Sequence, residues 1–393
     1  MPWKETDVMD LRLEFVMKAL SEKVPFVELC REYGIAPKTG YKWKERFLRG
    51  GTPALSNRSR RPKHARAELS EAVVCEMIRL KTAHMHWGPY KIREVYARLH
   101  RGEKVPSDTS FKRVLDKAGL VKRRKKRRSK EVGRIENRME AKEPNEVWTV
   151  DFKGWWRTSD GERCEPLTVR DDYSRYILCA LVPQDAKTET IRRIFEGLFT
   201  LYGLPCCIRS DNGTPFACRQ ALLGLTVLSA WWLALGIDVD RIAPGCPSQN
   251  GAHERMHRDI ACEVERHARG TLNHQMAALE VWRQTFNRQR PHESLGMGLP
   301  CEVYKRSERP YRGTPDRIEY PLGCLTRLVS KTGHIRFKST LVFITSALRG
   351  WHVGLKPDGS NGFTVYFGRL CLGTLDPSIA SFQPTPGALR RKE

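Results

Sequence analysis

Three acidic side chains in this 393-residue sequence stand where a divalent cation could be held. Asp151 closes the apolar run VWTVDF, Asp211 follows CCIRS and opens Asp-Asn-Gly, and Glu254 lies within PGCPSQNGAHERMHR. Two carboxylates at the ends of separate strands and a third on a later helix could share paired magnesium ions. Mg²⁺ is a hard cation that takes oxygen ligands, so no His or Cys is required.

Each residue also has an ordinary reading. Asp151 could bond a turn amide, Asp-Asn-Gly is a common Asx-turn, and Glu254 could be a surface glutamate opposite the helical stripe Met256, Ile260 and Val264. Asp172, in RDDYSRY, is a rival carboxylate. The argument rests on the set. Ligands bind at strand ends in α/β sheets, and a strand covered on both faces would bury Asp151, whose ionised form then needs a partner. Asn250, His257 and Arg258 lie about one helical turn from Glu254 and would add groups suited to positioning DNA phosphate.

The flanking pattern supplies elements for these positions. From Pro144 the sequence reads as three strands (VWTVDF, PLTVRDD, RYILCALV), then a helix from Lys187 to Tyr202 and the strand CCIRS. A long apolar helix from Phe216 to Leu235 follows, then a short strand near Asp238, a helix from about Ser248, and another from Asn273 to Arg288. This order describes an α/β, RNase H-like core, although other α/β layers share it. The expected boundaries of the core are 144–308.

Upstream the chain is basic and helical. Residues 1–50 show three short helices with Gly34 at the second turn, a helix-turn-helix pattern. Lys38, Thr39, Lys42 and Arg46 are placed on or near its groove-facing side, though a plain bundle with a solvated basic face would look the same. Residues 51–68 read as a basic linker in which Arg58, Arg60 and Arg61 could lie along a minor groove, or simply be solvated. Residues 69–121 form a second helical module, helix-turn-helix or winged, with Ser107 capping its third helix. Residues 122–143 open with the tract Lys122, Arg123, Arg124 and onward, too charged to fold alone and suited to phosphates. The tail, 313–380, alternates short apolar runs with glycine turns and suggests a small β-barrel, SH3-like. The chain is thus expected to be multidomain.

Composition points the same way. Lys and Arg number 69 against 45 Asp and Glu, an excess of 24 positive charges that implies a polyanionic partner, double-stranded DNA first. Twelve cysteines are scattered without zinc-site spacing, which points to reduced thiols in a cytoplasmic protein. No apolar run is long enough to span a bilayer, so no membrane partner is expected.

VDFKGW, SDNGTPF, PGCPSQNGAHERMHR and FNRQRPHESLG closely resemble the DDE integrase core of bacterial insertion-sequence transposases, the IS481-type group related to retroviral integrases. The resemblance covers nearly the whole chain. It implies that Asp151, Asp211 and Glu254 are the catalytic triad and the metal ligands. It further implies two Mg²⁺ ions, with Mn²⁺ able to substitute. Asp151 would bridge both ions, while Asp211 and Glu254 would each complete one side. The activity implied is cleavage at terminal inverted repeats and strand transfer into target DNA, by a homo-oligomer on paired ends in the bacterial nucleoid. One alternative is a retired transposase acting as a DNA-binding regulator, and another is a nuclease without strand transfer. The 42 residues between Asp211 and Glu254 exceed the usual retroviral spacing, with the surplus around AWWLALG. An N-terminal zinc module of the retroviral kind is replaced here by a helix-turn-helix, so no zinc is expected.

Overall fold

Short helices build the first of two compact units, residues 1–70. The computed structural model describes residues 7–57, 69–121, 140–218, 220–242, 250–359 and 362–385. The sequence expectations at Arg58, Arg60 and Arg61 and at Lys122, Arg123 and Arg124 lie outside those residues.

In the first unit α1 (Val8–Ser21), α2 (Phe26–Glu32) and α3 (Pro37–Gly50) bury Phe15, Val16, Leu29, Cys30 and Trp43. Pro37 opens α3, where its fixed φ suits a first helical turn and its missing N–H is not needed. Gly34, at φ +62°, makes the turn before it. Gly40 is a packing requirement. A Cβ there would lie 2.7 Å from Cys30 Sγ and 2.9 Å from Phe15 Cζ. Lys38 and Lys42 are exposed on α3, and Thr39 and Arg46 are half-buried. The Lys42 and Arg46 cations sit 5.0 and 4.9 Å from the Trp43 ring centroid.

The second unit, residues 71–393, begins with α4 (Glu71–Ala83), α5 (Pro89–Leu99) and α6 (Asp108–Lys117), packed around Met77, Ile92, Tyr96, Phe111 and Leu115. Ser107 caps α6 by accepting the Ser110 N–H. Arg98 grips Glu302 with both terminal nitrogens, at 2.5 and 3.3 Å, and so ties this module to the end of the core.

The core contains β1 (Val147–Phe152), a small hairpin of β2 (Trp156–Arg157) and β3 (Arg163–Cys164), then β4 (Leu167–Asp171) and β5 (Ile177–Leu181). After them come α7 (Thr188–Tyr202), β6 (Cys207–Ser210), α8 (Val227–Ala234), β7 (Asp238–Arg241), α9 (Gly251–Glu263) and α10 (Leu272–Arg288). The sheet order is β5-β4-β1-β6-β7, with β4 and β5 antiparallel and β6 and β7 parallel to their neighbours. Strand alternation divides the faces. Trp148, Val150, Leu167, Val169 and Ile208 pack with Phe195 and Phe199 of α7 and Trp231 and Trp232 of α8. On the opposite face Ile177 and Ala180 pack with Met256, Ile260, Leu279, Trp282 and Phe286 of α9 and α10.

The expected helix from Phe216 to Leu235 is corrected to α8, eight residues long. The run is apolar enough for a helix. Its first half instead turns through Leu223 at φ 49° and Gly224 at φ 66°, and Thr226 starts α8 with a capping box to Ser229. The expected SH3-like closure of the tail is likewise not seen among the described residues. Strands β8 (Leu325–Leu328), β9 (His334–Phe337), β10 (Thr340–Phe343), β11 (His352–Pro357), β12 (Phe363–Phe367), β13 (Leu370–Asp376) and β14 (Ser381–Pro384) form two sheets. One is β14-β13-β12-β11-β8 and the other the hairpin β9–β10. The larger sheet stays open because β8 and β14, its two edges, do not pair.

The Gly40 contact gives a test. Gly40→Leu is expected to destabilise residues 7–57 by about 2 kcal/mol or more through overpacking, read as faster amide exchange in α1 and α3. Unchanged protection there would contradict the packing described.

Candidate active site

Strand pairing brings the first two carboxylates together. In the parallel β1–β6 pair Val150 lies opposite Ser210, so the next residue on each chain, Asp151 and Asp211, emerges at one end of the sheet about 5 Å apart along the backbone. Asp211 folds over its own turn, where a Cβ on Gly213 would sit 2.8 Å from Oδ2. Asn212 then pins that turn to the Ile242 carbonyl at 2.7 Å. Glu254 is exposed in the first turn of α9, where the helix dipole favours a carboxylate or a bound anion.

Asp151 feels the charges of the other two acids, although the three carboxylates do not draw within 4.8 Å of one another among the described residues. Burial, then the Asp211 charge, and more weakly the Glu254 charge push its carboxyl up to about 7, with the Phe152 N–H opposing them. A half-buried carboxylate beside two others resists ionisation until a cation neutralises it. An all-oxygen cluster of this kind suits a hard divalent ion. Asn250, buried at the start of α9, points Nδ2 at Asp151 Oδ2 from 3.5 Å.

A buried polar layer lies beneath the carboxylates. Thr149 and Thr168 face α9 from β1 and β4, and between them sits His253, fully buried. Thr168 Oγ1 lies 2.9 Å from the Asp151 carbonyl, 2.7 Å from His253 Nε2 and 2.8 Å from His257 Nε2. A hydroxyl has one proton and two lone pairs, so it donates to the carbonyl and accepts from both imidazoles. Both rings therefore carry their proton on Nε2. The Thr149 hydroxyl lies 2.8 Å from His253 Nδ1 and 3.3 Å from the Arg170 carbonyl, and with Nδ1 bare its one proton goes to the nearer nitrogen. Burial drives His253 well below the ordinary histidine range, with the neighbouring His257 ring and the Arg170 charge acting in the same direction. Burial, with Lys153 and Arg170, pushes His257 down to about 3. Both are neutral, and His257 is left with a bare Nδ1 that lies 3.9 Å from Asp151 Oδ2.

Asp151, His253 and His257 bring ligand-type atoms within 4.8 Å of one another, so this trio is a rival metal set. His253 already uses both nitrogens on threonine hydroxyls, which leaves the carboxylates and the His257 Nδ1 as the available donors. His253 was not singled out from the sequence. Its signal was the stripe Met256, Ile260, Val264, which extended one turn upstream falls on His253. The rival carboxylate Asp172 is held otherwise. It is buried and lies 2.9, 3.1 and 3.2 Å from guanidinium nitrogens of Arg170, Arg175 and Arg209. Arg258 is exposed on α9.

Two outcomes are expected. Asp151 has a folded value raised above its unfolded one, so its contribution to stability is full below about pH 4 and lost as pH rises through 7. In EDTA, the stability of Asp151→Asn relative to wild type should therefore rise by about 2–4 kcal/mol between pH 4 and pH 8 in urea titrations. A flat difference would remove the carboxylate cluster. Thr168→Val should cost about 2–4 kcal/mol by stranding two imidazole N–H groups and a carbonyl, and a loss below 1 kcal/mol would refute the proton assignment.

The sequence was compared with known proteins. Two family models described as Integrase core domain match residues 141–247 and 235–300. A helix-turn-helix domain matches 11–63 and a homeodomain-like domain 39–115. The chain is 28% identical over 248 residues to an insertion element IS407 protein of Burkholderia multivorans, covering 63% of this chain and 84% of that one. It is 27% identical over 239 residues to an insertion element IS476 protein of Xanthomonas euvesicatoria, covering 59% and 64%. The catalytic core domain of BIV integrase is similar at 21% identity and TM-score 0.31, over 41% of this chain and 93% of that one. Residues 141–300 thus match the integrase core domain, and the chain is similar to proteins of bacterial insertion elements.

Proposed function

We propose that the protein is the transposase of an insertion sequence, which binds terminal inverted repeats, cuts DNA there and joins the ends to a target. The observation that carries this reading is the parallel β1–β6 register, which sets Asp151 beside Asp211 in a stretch that matches an integrase core domain.

In this reading Asp151, Asp211 and Glu254 hold divalent ions, two Mg²⁺ or Mn²⁺ in their place. When bound, the ions activate the attacking oxygen and neutralise charge on the leaving oxygen of an in-line phosphoryl transfer. The protein's part is placement. The β1–β6 register sets two carboxylates side by side, Thr168 fixes the Asp151 backbone, and Asn250 restrains its carboxylate. His257 presents an acceptor nitrogen beside Asp151, and exposed Arg258 can pair with phosphate.

The helical modules read the ends. Lys38, Thr39, Lys42 and Arg46 on α3 contact one groove, and the arginine and lysine tracts at 58–61 and 122–124 contact backbone. The β-rich tail holds DNA without strong sequence preference. Pairing two ends calls for a homo-oligomer, working at the nucleoid. No helix among the described residues is long and apolar enough to cross a membrane.

The test uses the full chain and DNA carrying the sequences that flank its reading frame. Wild type should nick and join these ends with Mg²⁺, stop in EDTA, and resume with Mg²⁺ or Mn²⁺. Asp211→Asn and Glu254→Gln should keep binding and lose cleavage by about 10³-fold or more. Binding without nicking or joining by wild type would mark a retired enzyme acting as a regulator. Nicking without joining would mark a nuclease.

A further inference from the structure

Immediately after Asp151 the chain leaves the sheet through Phe152-Lys153-Gly154-Trp155-Trp156-Arg157. Gly154, at φ +86°, turns it, and the two tryptophans then part company. Trp156 pairs with Cys164 and is 7% exposed, packed in the cluster that contains Met256 and Ile260 of α9. Trp155 is 54% exposed, and its outward ring contributes little to that core.

The ring has company of one kind. Arg157 and Arg163 stand opposite each other across the β2–β3 hairpin, both exposed, with guanidinium carbons 5.7 and 5.1 Å from the Trp155 centroid. Like charges directly opposite in a hairpin repel. The negative face of the indole offsets part of this, and an anion between the arms would offset more. Each arginine is also held locally, Arg157 by the Gly161 carbonyl at 2.7 Å and Arg163 by Glu165 at 2.7 Å.

The hairpin is firmly mounted. Lys153 reaches Glu265 at 2.6 Å, and the N–H groups of Ser159 and Asp160 donate to the Arg269 and Gly270 carbonyls at 3.0 Å. These bonds seat the hairpin on the segment that follows α9, and Trp156 adds the apolar cluster that contains Met256 and Ile260 of that helix. Four residues of chain span at most about 14 Å, so Trp155 stays within that reach of Asp151.

We propose that Trp155, with Arg157 and Arg163, is a stacking site for an unpaired base of the DNA strand at the carboxylates, the arginines taking the phosphates on either side. The inference rests on the DNA-transfer reading above. A base inside a duplex has both faces covered by its neighbours, so an exposed indole can stack only on a base at an opened end or one turned out of the helix. Opening the duplex there would let a single strand enter the site.

The test measures binding of the full chain, in EDTA, to a blunt duplex and to the same duplex with unpaired nucleotides at one end, one of them 2-aminopurine. Wild type should prefer the opened end by about tenfold and quench the probe. Trp155→Ala should lose the preference and the quenching, while Trp155→Phe keeps most of both. Arg157→Gln and Arg163→Gln should weaken binding to both DNAs and each lower the salt dependence by about one phosphate contact. The site is overturned if Trp155→Ala retains the preference, if wild type shows none, or if Trp155→Ala weakens both DNAs equally. Wild type that binds neither DNA would bring down the DNA-transfer reading itself. An unchanged urea midpoint for Trp155→Ala separates these outcomes from misfolding.

Discussion

Placing one carboxylate, shielded from water, beside two others is unfavourable unless a cation joins them. The central unit keeps the unfavourable arrangement because its parts are fixed by larger forces. The β1–β6 pairing is held by backbone hydrogen bonds and by the apolar face of Trp148, Val150 and Ile208, and α9 is held by Met256 and Ile260. The energy that positions Asp151, Asp211 and Glu254 thus comes from hydrophobic burial away from them. Their repulsion is left to be relieved by what binds.

Two neighbouring aspartates show how surroundings divide one chemistry into two uses. Asp172 is more deeply buried than Asp151, yet Arg170, Arg175 and Arg209 surround it, and its charge is spent on holding β4, β6 and the β4–β5 turn together. Asp151 has no such guanidinium within its described contacts and faces Asn250 and a neutral histidine instead. The polar layer of Thr149, Thr168, His253 and His257 explains that neutrality. Hydroxyls and imidazoles satisfy one another there without adding a positive charge that would compete with a metal ion.

Around this centre the other parts of the second unit are attached by specific bonds. Arg98 fastens the α4–α6 module to Glu302, and Thr314 takes hydrogen bonds from Trp231 and Arg192 at 2.8 and 2.9 Å, where the chain leaves the core for the tail. The apolar cluster itself runs from α7 and α8 into the tail residues Val329, Ile335 and Leu348. The tail therefore shares a core with the central sheet rather than hanging from it.

The local elements were legible in the sequence wherever periodicity and punctuation agreed. VWTVDF alternates and forms a strand with Asp151 on the face toward α9, and Ser107 caps a helix. The motifs around Asp151, Asp211 and Glu254 were legible as a set. The segment from Phe216 to Leu235 was misjudged, since an apolar run states that a stretch is buried but not how its backbone turns, and Leu223 and Gly224 decide that. Closure of the tail depends on which edge strands meet, a non-local question that alternation cannot answer. The role of His253 was hidden for a similar reason. Its partners Thr149 and Thr168 are 104 and 85 residues away, on strands whose register only the folded sheet establishes. Residue types determined that three carboxylates could make a metal site, and tertiary structure alone decided their company: neutral groups at Asp151, three arginines at Asp172.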